Sequence, residues 1–271
     1  MSEIADVSDT ARWVATFRAR ESSRPDALFH DPYAALLAGE RGEAMVAQTS
    51  ALARNGWSFT ARTKLIDDLI TDCLGDGCDR VVNLAAGLDA RPYRLDVPDD
   101  LVWVEADLPV MVEEKERALA DEKPRCELVR RSVDLADAKQ RKQFLAAQVA
   151  GAQRAVVITE GLLPYLADDD VRAMSADLAE AGVRWWITDM MSPADVRIGR
   201  RVSRKQLAST PVRFGPEEGT GFFAPDGWTE IDAESVLRAA ARFKRLPWPL
   251  RPLCLLPVGK FGSTVVRLAR G

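Results

Sequence analysis

Residues 80–89 read RVVNLAAGLD, an apolar run that ends in a turn of small residues. The length and apolar character of residues 80–85 predict a strand buried on both faces. At its carboxyl end stand Ala85, Ala86 and Gly87, where only small side chains leave room for a ligand to approach the backbone. A single glycine makes this turn a poor match to GxGxxG, so an ordinary strand-to-loop turn explains the motif alone equally well.

Apolar segments that alternate with helical patterns continue downstream of this strand. We predict four more strands, at residues 101–105, 126–129, 155–159 and 184–188. Helices are predicted between them, at residues 109–122 and at 168–182, the latter capped by the aspartates at 168–170. Such alternation implies right-handed crossovers and a parallel sheet with both faces covered. The predicted fold class is therefore α/β, with a Rossmann-like, mostly parallel sheet and helices on both faces.

Helical patterns also precede the first strand. Residues 8–21 and 61–74 place apolar side chains at helical spacing. Residues 30–33 (HDPY) open another helix, for which Asp31 is the expected N-cap. Together these segments predict an N-terminal helical cap.

The region after the fifth strand is less regular. Residues 192–223 contain a basic helix expected at 194–208 and then a stretch rich in glycine and proline. We predict an insertion at this point. A helix at 233–242 and a last strand at 263–269 complete the pattern.

The composition is that of an ordinary globular protein, with 47% hydrophobic and 29% charged residues. The net charge of −4 argues against nucleic acid as the main partner, because phosphate binding needs a concentrated basic surface. No apolar run is long enough to span a bilayer. The polar, acidic N-terminal sequence MSEIADVSDTARW does not resemble a signal peptide. We expect a cytoplasmic protein that binds neither nucleic acid nor a membrane.

Cysteine and histidine usage bears on metal sites. The cysteines have no CxxC spacing, which favours isolated reduced thiols over disulfides or a zinc site. They stand at positions Cys73, Cys78, Cys126 and Cys254. With His30 as the one histidine, a His-rich metal site is impossible and a Ser-His-Asp triad is a poor explanation. We expect no metal.

Acidic residues follow the second and third predicted strands. Glu105 and Asp107 stand about 20 residues after Gly87, the spacing at which a carboxylate accepts hydrogen bonds from ribose hydroxyls. Asp134 and Leu135 suit an adenine, since a carboxylate meets the exocyclic amine while an apolar side chain packs on the ring. Taken alone, Asp134 is more readily explained as a helix N-cap. The combination of turn and acid favours a nucleoside-type cofactor.

Two further charged positions point toward the same crevice. Glu160 ends the apolar strand at 155–159 and is followed by a glycine. It suits a cationic amino group or the role of a base, with a cap or an internal ion pair as the alternative. Arg62 and Lys64, in the segment ARTK, suit a carboxylate, which arginine binds with two hydrogen bonds. The alternative there is a solvated helix face.

These segments together resemble the leucine carboxyl methyltransferase superfamily, in particular its bacterial branch of polyketide-type O-methyltransferases. The similar segments occur in the same order and spacing, from about residue 10 to about residue 228. They are HDPYA (30–34), ARTKLIDD (61–68), VVNLAAGLDARPYRL (81–95), VEADLPVMVEEK (104–115), VDLAD (133–137), ITEGLLPYL (158–166) and GPEEGTGFFAPDGW (215–228). The combination is far more specific than any one motif.

The resemblance implies a binding site for the methionine part of S-adenosylmethionine. Arg62 would grip its carboxylate, and Glu160 would face its amino group. A basic residue of the first helix often assists in this family, and Arg18 is the candidate here.

The resemblance also implies a site for the nucleoside part. Ala85 and Gly87 would line the backbone turn beside the cofactor, and Asp107 would hold the ribose hydroxyls. Asp134 and Leu135 would flank the adenine. The family often has glycine where Ala85 stands; a methyl group narrows that turn without closing it.

A class I S-adenosylmethionine-dependent methyltransferase is thereby predicted, acting on a carboxylate or a hydroxyl such as a phenol of a small molecule. Transfer from a sulfonium is an in-line displacement, for which the protein aligns donor and acceptor and excludes water. A carboxylate acceptor is already ionised, whereas a phenol, with a pKa of about 10, gains from a general base. The acceptor, the catalytic residues and the oligomeric state stay open at this stage.

The predicted organisation is one domain of residues 1–271. Its parts are a helical cap (1–75), a cofactor-binding core (76–190), an acceptor-side insertion (191–228) and the C-terminal part of the core (229–271). The alternative functions are an NAD(P)-dependent oxidoreductase, for which the glycine-rich pyrophosphate loop is missing, and a catalytically silent binding module.

Overall fold

A computed structural model of the 271-residue chain describes residues 3–48, 53–197, 212–255, 257 and 262–271. The described strands form one seven-stranded sheet in the order β3-β2-β1-β4-β5-β7-β6. Their bounds are Arg80–Leu84 (β1), Val102–Asp107 (β2), Glu127–Ser132 (β3), Ala155–Thr159 (β4), Trp185–Met190 (β5), Thr229–Ser235 (β6) and Thr264–Ala269 (β7). Strands β1 to β5 pair in parallel, and β7 runs antiparallel to β5 and β6. The predicted α/β fold with a mostly parallel sheet is confirmed.

Helices cover both faces of the sheet. Their bounds are Glu3–Ser22 (α1), Ala34–Ala47 (α2), Trp57–Gly75 (α3), Arg91–Arg94 (α4), Pro109–Ala118 (α5), Ala138–Val149 (α6), Asp168–Glu180 (α7) and Val236–Arg242 (α8). Short 3-10 helices stand at Ala53–Asn55, Leu163–Tyr165, Gly219–Asp226 and Trp248–Leu255. Among the described residues, no helix has the length and apolar character needed to cross a membrane.

Alternate side chains of each central strand enter two different cores. In β1, Val82 and Leu84 pack with apolar residues of α6 and α7, whereas Val81 packs with those of α3 and α8. Phe223 and Trp228 lie in the first of these cores, where both rings contact Trp186 edge-on. These two aromatic residues of the predicted insertion (191–228) therefore belong to the core.

Helix α1 packs on α2 and is also tied to the far end of the chain. The ion pair of Arg245 with Glu21 has an Nη2–Oε1 distance of 2.8 Å, and both side chains are nearly inaccessible to solvent. Arg245 also donates to the Asp26 carboxylate at 3.0 Å. A broken buried ion pair costs about 3–5 kcal/mol, so these contacts fix the end of α1 to the segment that follows α8.

The second helix begins later than the sequence pattern predicts. Its first residue is Ala34 and its N-cap is Tyr33, so the prediction of Asp31 as N-cap is wrong. The Asp31 carboxylate instead accepts a hydrogen bond from Arg18 Nε at 2.8 Å and one from the Tyr33 N–H at 3.2 Å. A buried guanidinium is a stronger partner for this carboxylate than uncharged helix N–H groups.

Three predictions about helices downstream of β4 differ from the structure or lie outside the described residues. Residues 229–235 form strand β6, so the helix predicted at 233–242 starts only at Val236. This edge strand is mostly exposed and lacks the apolar run that identified the others. Helix α7 has Ala167 as its N-cap, and the aspartates at 168–170 occupy its first turn, where their charge favours the helix N-terminus. Of the basic helix predicted at 194–208, residues 198–208 lie outside the described residues.

Candidate functional site

A cavity of about 270 Å³ lies at the carboxyl ends of β1, β2 and β4, beneath helix α1. Side chains of α1 one and two turns apart form its roof: Thr10, Ala11, Val14 and Arg18. Six of the eight predicted site residues line it, namely Arg18, Arg62, Ala85, Gly87, Asp107 and Glu160. The carboxyl edge of a parallel sheet is where open α/β folds bind ligands.

The turn after β1 forms the floor of the cavity. Ala85 and Gly87 both adopt positive φ angles, 54° and 49°. The Gly87 N–H points at the next strand and donates to Asp107 Oδ2 at 2.6 Å. The turn is thus held open by a carboxylate that itself faces the cavity.

The left-handed conformation of Ala85 predicts an effect on stability. The left-handed conformation destabilises the folded state by about 1–2 kcal/mol for an L-residue, and glycine would relieve this strain. Glycine also raises the entropy of the unfolded chain, which offsets about 0.4–1 kcal/mol of the gain. We therefore expect Ala85→Gly to raise the free energy of unfolding by about 0.5–1 kcal/mol, measured by urea denaturation. Affinity for the cofactor that the resemblance implies should change by less than about threefold, since the contacts expected at this turn are made by backbone. A destabilised variant would contradict the expectation.

Asp107 ends β2 and is 8% exposed. Its carboxylate accepts hydrogen bonds from the N–H groups of Gly87 and Leu108, the latter at 2.7 Å. Burial raises its pKa, although these two donors act in the opposite direction. Each carboxylate oxygen has a second lone pair, so the group retains the capacity to accept two hydroxyls.

Arg62 and Glu160 meet on the opposite side of the turn. Arg62 Nε lies 3.0 Å from Glu160 Oε1, and Arg62 Nη1 lies 3.1 Å from Asp189 Oδ2. Burial disfavours the charged guanidinium, but the charges of Asp189 and Glu160 outweigh it and raise the pKa of Arg62. Within the described part of the chain, Arg62 Nη2 donates no hydrogen bond. Its neighbour Lys64 pairs instead with Asp68 at the surface.

A network of ion pairs continues behind Glu160, and sequence reasoning missed it. Arg91 Nη1 lies 2.7 Å from Glu160 Oε2 and 2.8 Å from Asp89 Oδ2, while its Nε lies 2.6 Å from Asp67 Oδ1. Burial opposes ionisation of Glu160, yet the charges of Arg91 and Arg62 lower the pKa of its carboxyl. Asp89 and Arg91 lie within the GLDARPYRL segment, and Asp189 follows an apolar strand as Glu160 does, so a signal was present for each.

Arg18 reaches the cavity from α1 but is held by two acceptors. Its Nη2 donates to the Leu88 carbonyl at 2.6 Å, and its Nε donates to Asp31. The residue is 6% exposed. Arg18 therefore joins the helical cap to the turn after β1, and its contact with a ligand carboxylate stays a prediction.

Three other acids and apolar residues singled out in the sequence do not line the cavity. Asp134 is exposed, and its carboxylate accepts the Ala136 N–H at 2.9 Å. Leu135 is half-buried against the core. Glu105, the alternative to Asp107, is buried beneath the sheet edge with Lys115 at 2.7 Å and Arg130 at 2.8 Å. Asp107 is thus the acid of β2 that faces the cavity.

The cavity wall beyond Arg62 is apolar and aromatic. Phe59, Leu162 and Tyr165 contribute to it, and the Arg62 guanidinium lies 5.5 Å from the Phe59 ring centre. Burial raises the pKa of the Tyr165 hydroxyl, so Tyr165 is protonated at neutral pH. His30 is exposed and is not among the lining residues.

The structure describes only part of the basic helix predicted at 194–208. Arg197 is exposed and pairs with Glu217 at 3.0 Å. The remaining members of the cluster lie outside the described residues: Arg200, Arg201, Arg204 and Lys205.

Comparison with known proteins gives consistent sequence similarities. The model of the leucine carboxyl methyltransferase family matches residues 11–179. A "putative S-adenosyl-L-methionine-dependent methyltransferase" of Streptomyces avermitilis is 32% identical over 253 residues, with 87% of each chain covered. A protein of Frankia alni with the same description is 33% identical over 269 residues, with 91% of each chain covered.

Solved structures with the same fold are more distant in sequence. A DUF574 family protein from Streptomyces avermitilis superposes with a TM-score of 0.64 at 13% identity, and 97% of each chain is covered. A "putative methyltransferase" from Thermobifida fusca has a TM-score of 0.60 at 19% identity, covering 88% of this chain and 92% of the other. At such identities the likeness establishes a shared fold.

Proposed function

This chain belongs to the leucine carboxyl methyltransferase family and is an S-adenosylmethionine-dependent methyltransferase, and we propose that it methylates a carboxylate or hydroxyl oxygen of a small molecule. One observation supports the cofactor site on which the proposal rests: the cavity presents an arginine–glutamate pair on one side of the β1 turn and a carboxylate on the other. This order of charges matches a zwitterionic amino acid joined to a ribose.

The chemistry of the donor set fits the cofactor. Arg62 offers a guanidinium edge to a carboxylate, and Glu160 offers an ionised oxygen to an ammonium group. Asp107 offers two acceptor oxygens to vicinal hydroxyls. Gly87, without a side chain, allows close approach to the backbone between them. When bound, the cofactor supplies an electrophilic methyl group on a positively charged sulfur.

The adenine is assigned to the end of β3. Asp134 and Leu135 follow that strand, which lies beside β2, and the Val133 N–H donates to the Asp107 carbonyl at 2.9 Å. We retain the proposal that Leu135 packs on the ring and that Asp134 meets the exocyclic amine. Because β3 is an edge strand, the residues that follow it are accessible to a nucleoside.

The acceptor is assigned to the apolar wall formed by Phe59, Leu162 and Tyr165. Methyl transfer requires an oxygen held in line with the sulfur–methyl bond, and an apolar wall excludes water from that position. A carboxylate acceptor needs no base, whereas a phenol needs a group that receives its proton. The insertion at residues 191–228 is proposed to border this side.

A dinucleotide is a poorer match to the same cavity. A pyrophosphate requires several glycine N–H groups and no nearby negative charge. Here the turn has one glycine, and Asp107, Asp89 and Glu160 all line the wall around it. Repulsion from these carboxylates disfavours the NAD(P)-dependent alternative.

The test is transfer of isotopically labelled methyl from S-adenosylmethionine to a panel of aromatic and aliphatic acids, phenols and alcohols. Mild alkali separates the products, because it releases label from a methyl ester and leaves a methyl ether intact. Label on oxygen of either kind supports the proposal. Transfer to nitrogen, carbon or sulfur alone, with no oxygen product, would overturn it.

A further inference from the structure

The ion pair between Arg62 and Glu160 is open rather than closed. Arg62 approaches Glu160 through Nε alone, at 3.0 Å from Oε1. A guanidinium and a carboxylate form two parallel hydrogen bonds when nothing competes. Each side chain here has a second partner behind it, Asp189 for Arg62 and Arg91 for Glu160. These second partners keep the pair from closing.

Asp189 controls the geometry of Arg62. Its side chain stands at the end of β5 and is 4% exposed. Oδ2 accepts from Arg62 Nη1 at 3.1 Å, and Oδ1 accepts the Gly161 N–H at 2.6 Å. One carboxylate thus ties the guanidinium to the backbone directly after Glu160. Because Asp189 does not line the cavity, it acts on a ligand through these two groups.

Arg91 holds Glu160 from the other side. Its Nη1 lies 2.7 Å from Glu160 Oε2, and its side chain is 2% exposed. Arg91 also borders the cavity, but Asp67 and Asp89 hold its guanidinium through Nε and Nη1. Glu160 therefore keeps a cation at Oε2 whatever happens at Oε1.

We propose that Asp189 and Arg91 are positioning residues for the amino-acid end of the cofactor, an inference that rests on the proposed function. A zwitterion entering between Arg62 and Glu160 replaces one contact of each. Asp189 and Arg91 remain in place, so neither buried charge loses every partner during the exchange, which is otherwise strongly destabilising. Without Asp189, Arg62 closes onto Glu160 with two hydrogen bonds, and a ligand must break that pair.

Removal of the Asp189 charge also has an opposite effect, since it removes a negative charge near the incoming carboxylate. We expect closure of the pair to dominate. Glu160 competes for Arg62 at contact distance, whereas the charge of Asp189 is already compensated by Arg62 and the Gly161 N–H.

Calorimetry with S-adenosylhomocysteine and 5′-methylthioadenosine tests the inference. Both ligands contain adenosine and sulfur, and the first alone has the amino-acid end. In Asp189→Asn we expect affinity for S-adenosylhomocysteine to fall about 10- to 100-fold. Affinity for methylthioadenosine should stay within about threefold of the wild-type value.

A matched control is Asp177→Asn. Asp177 is another buried carboxylate paired with an arginine, Arg141 Nε at 2.7 Å, and it joins α6 to α7 away from the cavity. We expect both ligand affinities to be unchanged in this variant, whatever it does to thermal stability.

Arg91→Lys is the second variant, and it carries the test if Asp189→Asn does not fold. Lysine keeps the positive charge but lacks the planar guanidinium group. We therefore expect the same selective loss of affinity for S-adenosylhomocysteine. Equal losses for both ligands, an unchanged affinity for S-adenosylhomocysteine or a tighter one would overturn the inference. A wild-type protein that binds neither ligand would contradict the proposed function instead.

Discussion

Asp107→Asn is expected to lower the affinity for S-adenosylhomocysteine by about two to four orders of magnitude. In the proposed site the carboxylate accepts two ribose hydroxyls, and a hydrogen bond to a charged group contributes about 1.5–3 kcal/mol. At about 1.4 kcal/mol per tenfold, the loss of both gives this range. Asparagine has one acceptor oxygen, and its amide group would face the N–H of Gly87 or Leu108. Isothermal titration calorimetry measures the change directly.

Glu105→Gln is the control from the same strand. Glu105 stands two residues earlier on β2, is also buried and pairs with Lys115 and Arg130 outside the cavity. Its replacement is expected to lower the melting temperature and to leave the affinity within about threefold. If Glu105→Gln weakened binding more than Asp107→Asn, the ribose would be assigned to the wrong acid.

The pH dependence of binding gives a second readout on Asp107. Burial raises the pKa of this group above its ordinary value of 3.8. If the ionised form accepts the hydroxyls as proposed, affinity is expected to fall on acidification at a higher pH than an ordinary aspartate would produce. Glu160, whose pKa is lowered, stays ionised over that range. In Asp107→Asn this fall in affinity on acidification should disappear. If it persists, another group is responsible for it.

The parallel part of the fold was predictable because its strands are buried on both faces. Strand β4 was predicted at 155–159 and is found there, since every residue of it is apolar or inward-facing. Strand β6 was missed because it is an edge strand with exposed side chains, and its pattern lacks the periodicity that a buried strand requires.

The individual site residues were easier to predict than their partners. A charge at the end of an apolar strand is visible in the sequence, and Asp107 and Glu160, predicted in this way, both line the cavity. The partners of Arg62 were not, because ion pairs between α3, the end of β4 and β5 depend on the packing of segments about 100 residues or more apart. Sequence spacing carries no information about which acid faces which arginine.

Arg62→Ala is expected to lower the affinity for S-adenosylhomocysteine by about 10²- to 10³-fold, because the proposed bidentate contact with the ligand carboxylate is lost. The change leaves Glu160 paired with Arg91, and Asp189 bonded to the Gly161 N–H. Each acid therefore retains a partner, and we expect the variant to fold with a reduced melting temperature. Methylthioadenosine, which has no carboxylate, should bind as it does to the wild type.

Lys64→Ala is the matched control for this arginine. Lys64 lies two residues further along α3 and pairs with Asp68 at the surface. Surface pairs contribute about 0–1 kcal/mol, so neither affinity nor stability should change appreciably. An Arg62→Ala protein that bound S-adenosylhomocysteine as tightly as Lys64→Ala would show that the carboxylate is held elsewhere. Arg18 would then be the next arginine to replace, because it also lines the cavity and lies on the helix that forms its roof.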